Sequence, residues 1–137
     1  MQGAQERRRQ RRLPFVQVNA RVRVRRSLFT REWVDVRVHD FSIKGIAFTG
    51  DLPLQEGEKL HLSLQLQTET GDFAIERVVA IIRNSPRIND RTTFGAEFTR
   101  DNSVHVQHCL AQIEGILNRY HELTSRISQH KSQAGGG

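Results

Sequence analysis

Alternation with a period of two residues is the feature that most narrows what this chain can fold into. The segment LHLSLQLQ, residues 60–67, sets Leu60, Leu62, Leu64 and Leu66 on one side and polar residues on the other. Successive side chains of a strand point to opposite faces, so this is a strand with one buried face. Val16, Val18, Ala20, Val22 and Val24, with Phe15 ahead of them, alternate in the same way with Gln17, Asn19, Arg21, Arg23 and Arg25. Further strands are expected at about 32–39 (Trp33, Val34, Val36, Val38), at about 42–49 (Ile43, Ile46, Phe48), at 73–83 and at 92–99. The apolar run inside 73–83 predicts burial on both faces for part of its length. Turn chemistry separates these segments: Pro53 and Gly57 in DLPLQEGEK, then TETGD and NSPRIND. No helix long enough to cross between parallel strands precedes residue 103, so the strands are antiparallel. The expected fold is mainly β, a six-stranded antiparallel β-barrel with a C-terminal α-helix, because closure disposes of sheet edges.

After RDNS the period changes. Asp101, Asn102 and Ser103 are all good N-cap types. Val106, Leu110, Ile113, Leu117, Tyr120 and Ile127 recur at spacings of four and three, Thr124 fills the gap, and Cys109, Ile116 and Leu123 widen the stripe. This predicts an amphipathic helix of about 25 residues, 103–129, ahead of a frayed, disordered tail, 131–137. The chain therefore divides into a flexible basic arm (1–12), a barrel (13–102), a helical region (103–130) and the tail. The stripe is longer than a barrel end needs. Either the whole helix lies along the barrel wall, or its distal half pairs with another chain, giving a monomer or a weak homodimer.

The 137 residues suit one domain and one core. No run of about 18 apolar residues exists, so no membrane span is expected. The polar N-terminus lacks an apolar signal region, and the single cysteine, Cys109, fits a reducing compartment. These features predict a cytoplasmic protein. The net charge of +6 is uneven: residues 1–31 hold ten arginines and one acid, Glu6, while the remainder is net acidic. The basic end attracts a polyanion: nucleic acid, an acidic membrane or a phosphorylated small molecule.

Two short motifs give that attraction a form. The arm contains Arg8-x-x-x-Arg12, running directly into LPF, and Asp40-x-Ser42-x-x-Gly45 follows about 28 residues later in VHDFSIKGIAF. An RxxxR pair just before the first strand, then a DxSxxG between the second and third, resembles the PilZ domain family. The resemblance covers roughly residues 6–100 and includes GAEF at 95–98. It implies a bacterial receptor for the second messenger cyclic di-GMP, with Arg8, Arg12, Asp40, Ser42 and Gly45 as ligand-binding residues. A second register, Arg7/Arg11, overlaps the first; Arg8/Arg12 is preferred because Arg12 abuts the strand. Arg7 then precedes the motif, where the family associates an arginine with a stacked ligand dimer, implying two ligand molecules per chain. Such a receptor needs no cofactor and would pass the signal to a downstream protein partner.

The residue types suit that ligand. Guanidinium is a planar fork of donors matching phosphate oxygens and the guanine O6/N7 edge, and its face stacks on purines. A carboxylate at Asp40 accepts from guanine N1–H and N2–H, or holds an arginine. Ser42 adds a hydroxyl, and Gly45 permits a turn or a close ligand approach. The competing reading makes Asp40 and Ser42 turn residues and Gly45 a bulge. His105 and His108, beside Cys109, lack a third metal ligand at convincing spacing, so no metal is expected. Ser42 has no nucleophile-elbow pattern, and no enzyme is expected. The alternative function is a small basic β-barrel binding RNA or DNA through the arm and Arg21, Arg23 and Arg25. It is disfavoured because Trp33 and Tyr120 stand alone and most phenylalanines fall at core positions, leaving few aromatic side chains on which bases could stack.

Overall fold

Each alternating segment is a strand. The computed structural model describes residues 16–88 and 90–136, with side-chain detail for 16–87 and 90–125. The elements are β1 (Val16–Arg25), β2 (Arg31–Phe41), β3 (Gly45–Thr49), β4 (Lys59–Thr68), β5 (Gly71–Asn84), β6 (Arg87–Ile88), β7 (Arg91–Phe98) and α1 (Val104–Gly136). The sheet order is β3-β2-β1-β4-β5-β7-β6, every pairing is antiparallel, and β3 also pairs with β7. That last pairing closes six strands into the expected barrel. β6 stands outside the ring, a two-residue pairing with β7 inside the segment expected to be only a turn.

The inward faces form one core. Val22, Leu62, Leu64, Leu66, Val78, Ile82, Phe48 and Phe94 are fully buried, and the rings of Phe48 and Phe94 stack at 5.4 Å. On β5 the expected two-faced burial is partial: Val78, Ala80 and Ile82 are buried, while Val79 and Ile81 on the other face are half-buried. A bulge keeps the β5 pattern in phase. Leu62 pairs with Val78 but Leu64 pairs with Ile75, so β5 carries an extra residue there, with Arg77 at φ 63. Ile75 and Val78, three apart, therefore both point inward.

Ser103 caps α1: its Oγ accepts from the Val106 N–H at 3.1 Å, and its carbonyl accepts from the Gln107 N–H at 2.9 Å. Asn102, buried among the strands, fastens the helix entry. Its Nδ2 donates to the carbonyls of Val79 and Thr99, both at 2.9 Å, and its Oδ1 accepts from the Val79 N–H at 2.8 Å. The neighbouring Asp101 carboxyl sits below its ordinary pKa, chiefly through a hydrogen bond from Thr99 and secondarily through Lys59. Val106, Cys109, Leu110 and Ile113 then close the core from the helix side, with Ile116 and Leu117 packed at its margin.

Strand ends differ from the sequence expectation by one to three residues, and two boundary differences matter here. β3 begins at Gly45 rather than at 42, because residues 42–44 form a tight turn and β2 runs on to Phe41. The helix spans 33 residues, beyond the expected end at 129. The KSQA stretch contains no breaker, and the helical backbone continues into Gly135 and Gly136. The side chain of Ile127 lies outside the described detail. Among the described residues, no helix is long and apolar enough to cross a membrane.

Candidate functional site

A second bulge shapes the end of β2. Val38 pairs with Phe48 but Asp40 pairs with Ala47, so β2 carries an extra residue at this point. Two successive residues, His39 and Asp40, consequently face solvent, and Phe41 returns inward to meet Phe98 with ring centroids 5.8 Å apart. His39 shares a hydrogen bond with the Thr49 hydroxyl across the pair. Asp40 is thus turned outward by a backbone irregularity, next to a turn that the same motif builds.

In that turn the Ser42 N–H donates to the Gly45 carbonyl at 2.9 Å, and the Ser42 Oγ accepts from the Lys44 N–H at 3.1 Å. Asp40 Oδ1 accepts from the Phe41 N–H at 2.9 Å. Both side chains therefore do the turn work that the competing reading assigned them. Each keeps unspent capacity: among the described residues Asp40 Oδ2 has no partner, and the Ser42 hydroxyl proton remains available to donate.

Gly45 answers a different need. A Cβ there would stand 2.3 Å from the Ala96 carbonyl oxygen. The residue is glycine because β3 approaches β7 too closely for any side chain. At Gly95 on β7 a Cβ would instead meet Asn84 Oδ1 at 2.4 Å, the end of an exposed side chain that can turn away.

Two concavities adjoin Asp40. The first, of about 400 Å³, is a shallow groove on the outer wall floored by Gly45, Ala47 and Gly95. Asp40 and Ser42 flank it on one side, and Arg83, Asn84 and Glu97 on the other. Along that second side Arg83 Nε donates to Glu97 Oε1 at 2.8 Å. The second, of about 500 Å³, exists because β1 and β2 part company. They pair only from Ala20 with Val36 outward to Arg25 with Arg31. Val16–Asn19 of β1 and Arg37–Phe41 of β2 splay apart, and Leu117 and His121 of α1 complete the walls.

The helix also touches the motif directly. Glu114 Oε2 accepts from the Ile43 N–H at 2.7 Å, across a sequence separation of 71 residues. Glu114, Leu117, His121, Arg83 and Asn84 carried no spacing signal toward this site; only closure of the barrel brings them here. Asp40, Ser42 and Gly45 are brought together as expected. Arg7, Arg8 and Arg12 lie outside the described residues.

Of the other candidates, Cys109 packs inward, its Sγ 3.7 Å from His105 Nε2. Arg21 is exposed and ion-paired with Asp35 at 2.9 Å, while Arg23 and Arg25 face solvent on the outer wall.

The fold is thus a closed antiparallel barrel with two of its concavities beside the Asp40–Gly45 motif. A family model described as the PilZ domain matches residues 6–115, which takes in both halves of the motif, the whole barrel and the buried start of α1 through Ile113. The chain belongs to the PilZ family, a family of cyclic di-GMP-binding domains. No curated protein matches it.

Proposed function

We propose that this protein is a cyclic di-GMP receptor that converts messenger concentration into a change of conformation or partner. The observation that carries this reading is the position of Asp40. It lies on the wall of the cavity between β1 and β2, and Val16, at the root of the arm, lines the same cavity. Arg12 is four residues before Val16, so an extended chain tethers it within about 13 Å of that residue. Arg8, four residues further back, has twice that reach. The arm arginines would clasp the phosphates and guanines from one side, while Asp40 Oδ2 and the Ser42 hydroxyl meet a guanine edge or orient a guanidinium from the other. Closure of the arm on the ligand would supply the conformational change. Glu114, Leu117 and His121 give the helix a direct stake in it, and through the helix a downstream protein.

Calorimetric titration with cyclic di-GMP tests this. Arg8→Ala and Arg12→Ala should each cost about 1.5–3 kcal/mol of binding through loss of a charge-assisted contact. Asp40→Ala should also weaken binding, although it makes the protein more positive. A nonspecific polyanion binder, including the RNA- or DNA-binding alternative, would gain affinity from that change and weaken steeply with salt. A measured gain for Asp40→Ala would therefore defeat the receptor reading.

A further inference from the structure

The far end of the barrel carries a different chemistry. Between β1 and β2 the backbone closes on itself: the Thr30 carbonyl accepts from the N–H groups of Arg26 (2.9 Å) and Ser27 (3.3 Å), and Ser27 Oγ accepts from the Thr30 N–H (3.2 Å). This settled loop holds two large apolar side chains in solvent at its tip, Leu28 at 78% and Phe29 at 96% exposure. Behind the tip, Arg25 is paired directly with Arg31, and Arg23 directly with Trp33, all four exposed on the outer face. Like charges directly opposite on neighbouring strands disfavour the hairpin in water. Arg26 is ion-paired with Glu32 at 2.7 Å, and Glu32 is the only acid in 23–33 against four arginines.

We propose that this hairpin tip docks on an anionic lipid bilayer. The features are graded along the hairpin as such a surface requires. Leu28 and Phe29 lead and would enter the boundary between headgroups and acyl chains, a layer about 5–10 Å deep. Arg25, Arg26 and Arg31 follow at the level of the headgroup phosphates, where the repulsion between Arg25 and Arg31 becomes attraction to a shared anionic field. Trp33 lies two residues, about 7 Å, along β2 behind Arg31, at the level where an amphipathic indole is favoured.

Nucleic acid would engage the arginines but has no use for an aliphatic Leu28 at the leading point. A protein groove for the two apolar side chains does not call for arginines on the flanking strands as well. Asp40 sits nine residues along β2 from Arg31, about 30 Å away, so a bilayer at the tip leaves the opposite end open. This inference stands apart from the identity of the ligand bound there.

The test uses the full chain with vesicles of phosphatidylcholine mixed with phosphatidylglycerol, and with phosphatidylcholine alone. Trp33 is the only tryptophan, so its emission reports the hairpin itself. The expected result is sedimentation with the acidic vesicles only, with Trp33 emission shifting to the blue. Leu28→Ser with Phe29→Ser should reduce binding about tenfold or more, with circular dichroism and melting temperature unchanged because both side chains are exposed. Arg25→Gln and Arg31→Gln should each reduce it about fivefold. Failure to bind acidic vesicles would overturn the proposal. So would binding that survives the Leu28/Phe29 double substitution with Trp33 emission unmoved, which would assign the contact to the N-terminal arm. Tip-dependent binding to a single-stranded oligonucleotide as tight as to the acidic vesicles would overturn it in favour of nucleic acid.

Discussion

Asp40 and Gly45 belong to one six-residue motif yet answer to different forces. Asp40 spends one oxygen on the Phe41 N–H and holds the other in reserve, whereas Gly45 is demanded by the Ala96 carbonyl beneath it. The two roles separate by substitution. Asp40→Asn keeps an Oδ1 acceptor for Phe41 but removes the charge, so stability should change by less than about 0.5 kcal/mol while cyclic di-GMP affinity falls; urea unfolding beside calorimetry reads both. Gly45→Ala should instead destabilise the barrel by about 1–3 kcal/mol, because the clash is with backbone that cannot step aside. A lowered urea midpoint with unchanged slope is the expected signature, and an unchanged midpoint would show that β3 can retreat from β7. Arg7 makes a third residue-level prediction. Two ligand molecules should bind per wild-type chain and Arg7→Leu should lower this toward one; wild-type saturation at one would argue for the Arg7/Arg11 register.

At the scale of elements, what was legible in the sequence was what alternation and capping encode. LHLSLQLQ became β4 with all four leucines buried, and Ser103 became the cap of α1. The bulges were harder to read, although they leave a trace. Val38 to Phe41 and Ile75 to Val78 are intervals of three inside runs with an interval of two, and each coincides with a register shift. An interval of three also occurs in helices and at strand ends, so it names no structure until the partner strand is known. The site was half legible for a related reason. Asp40, Ser42 and Gly45 are local and their turn chemistry shows in the sequence, but Glu114 reaches the turn only because the helix folds back over the barrel. Gly115, next to it, has open space around it: a Cβ there meets nothing within 4 Å. Gly115→Ala should therefore stabilise α1 by about 0.5–1 kcal/mol, seen as a melting temperature raised by a few degrees. A decrease would mean that the groove between α1 and the β4–β5 hairpin closes more tightly than it stands here.

At the scale of the whole molecule, the barrel covers less of the helix than the helix offers. A helix of 33 residues is about 50 Å long. Burial is complete at Ile113, partial at Leu117 and Tyr120, and at Leu123 the stripe is 44% exposed. Of the two arrangements open to the helix, its lying wholly along the barrel wall is at odds with Leu123. An isolated helical segment of this length is marginal in water, so the distal half gains most from a partner for its stripe. The Thr124 hydroxyl turns back to the carbonyls of Tyr120 and His121 at 3.1 and 3.0 Å, which removes its polar group from any such seam. The expected outcome is weak, concentration-dependent self-association, with light scattering rising toward a dimer at high micromolar concentration. Leu123→Glu should return the protein to a monomer without lowering its melting temperature, since Leu123 takes no part in the core. A wild-type chain that stays strictly monomeric across the concentration series, and is indifferent to Leu123→Glu, would leave the distal stripe to a different protein. In that case the helix that Glu114 ties to the 42–44 turn would be the element by which the proposed receptor reaches its target.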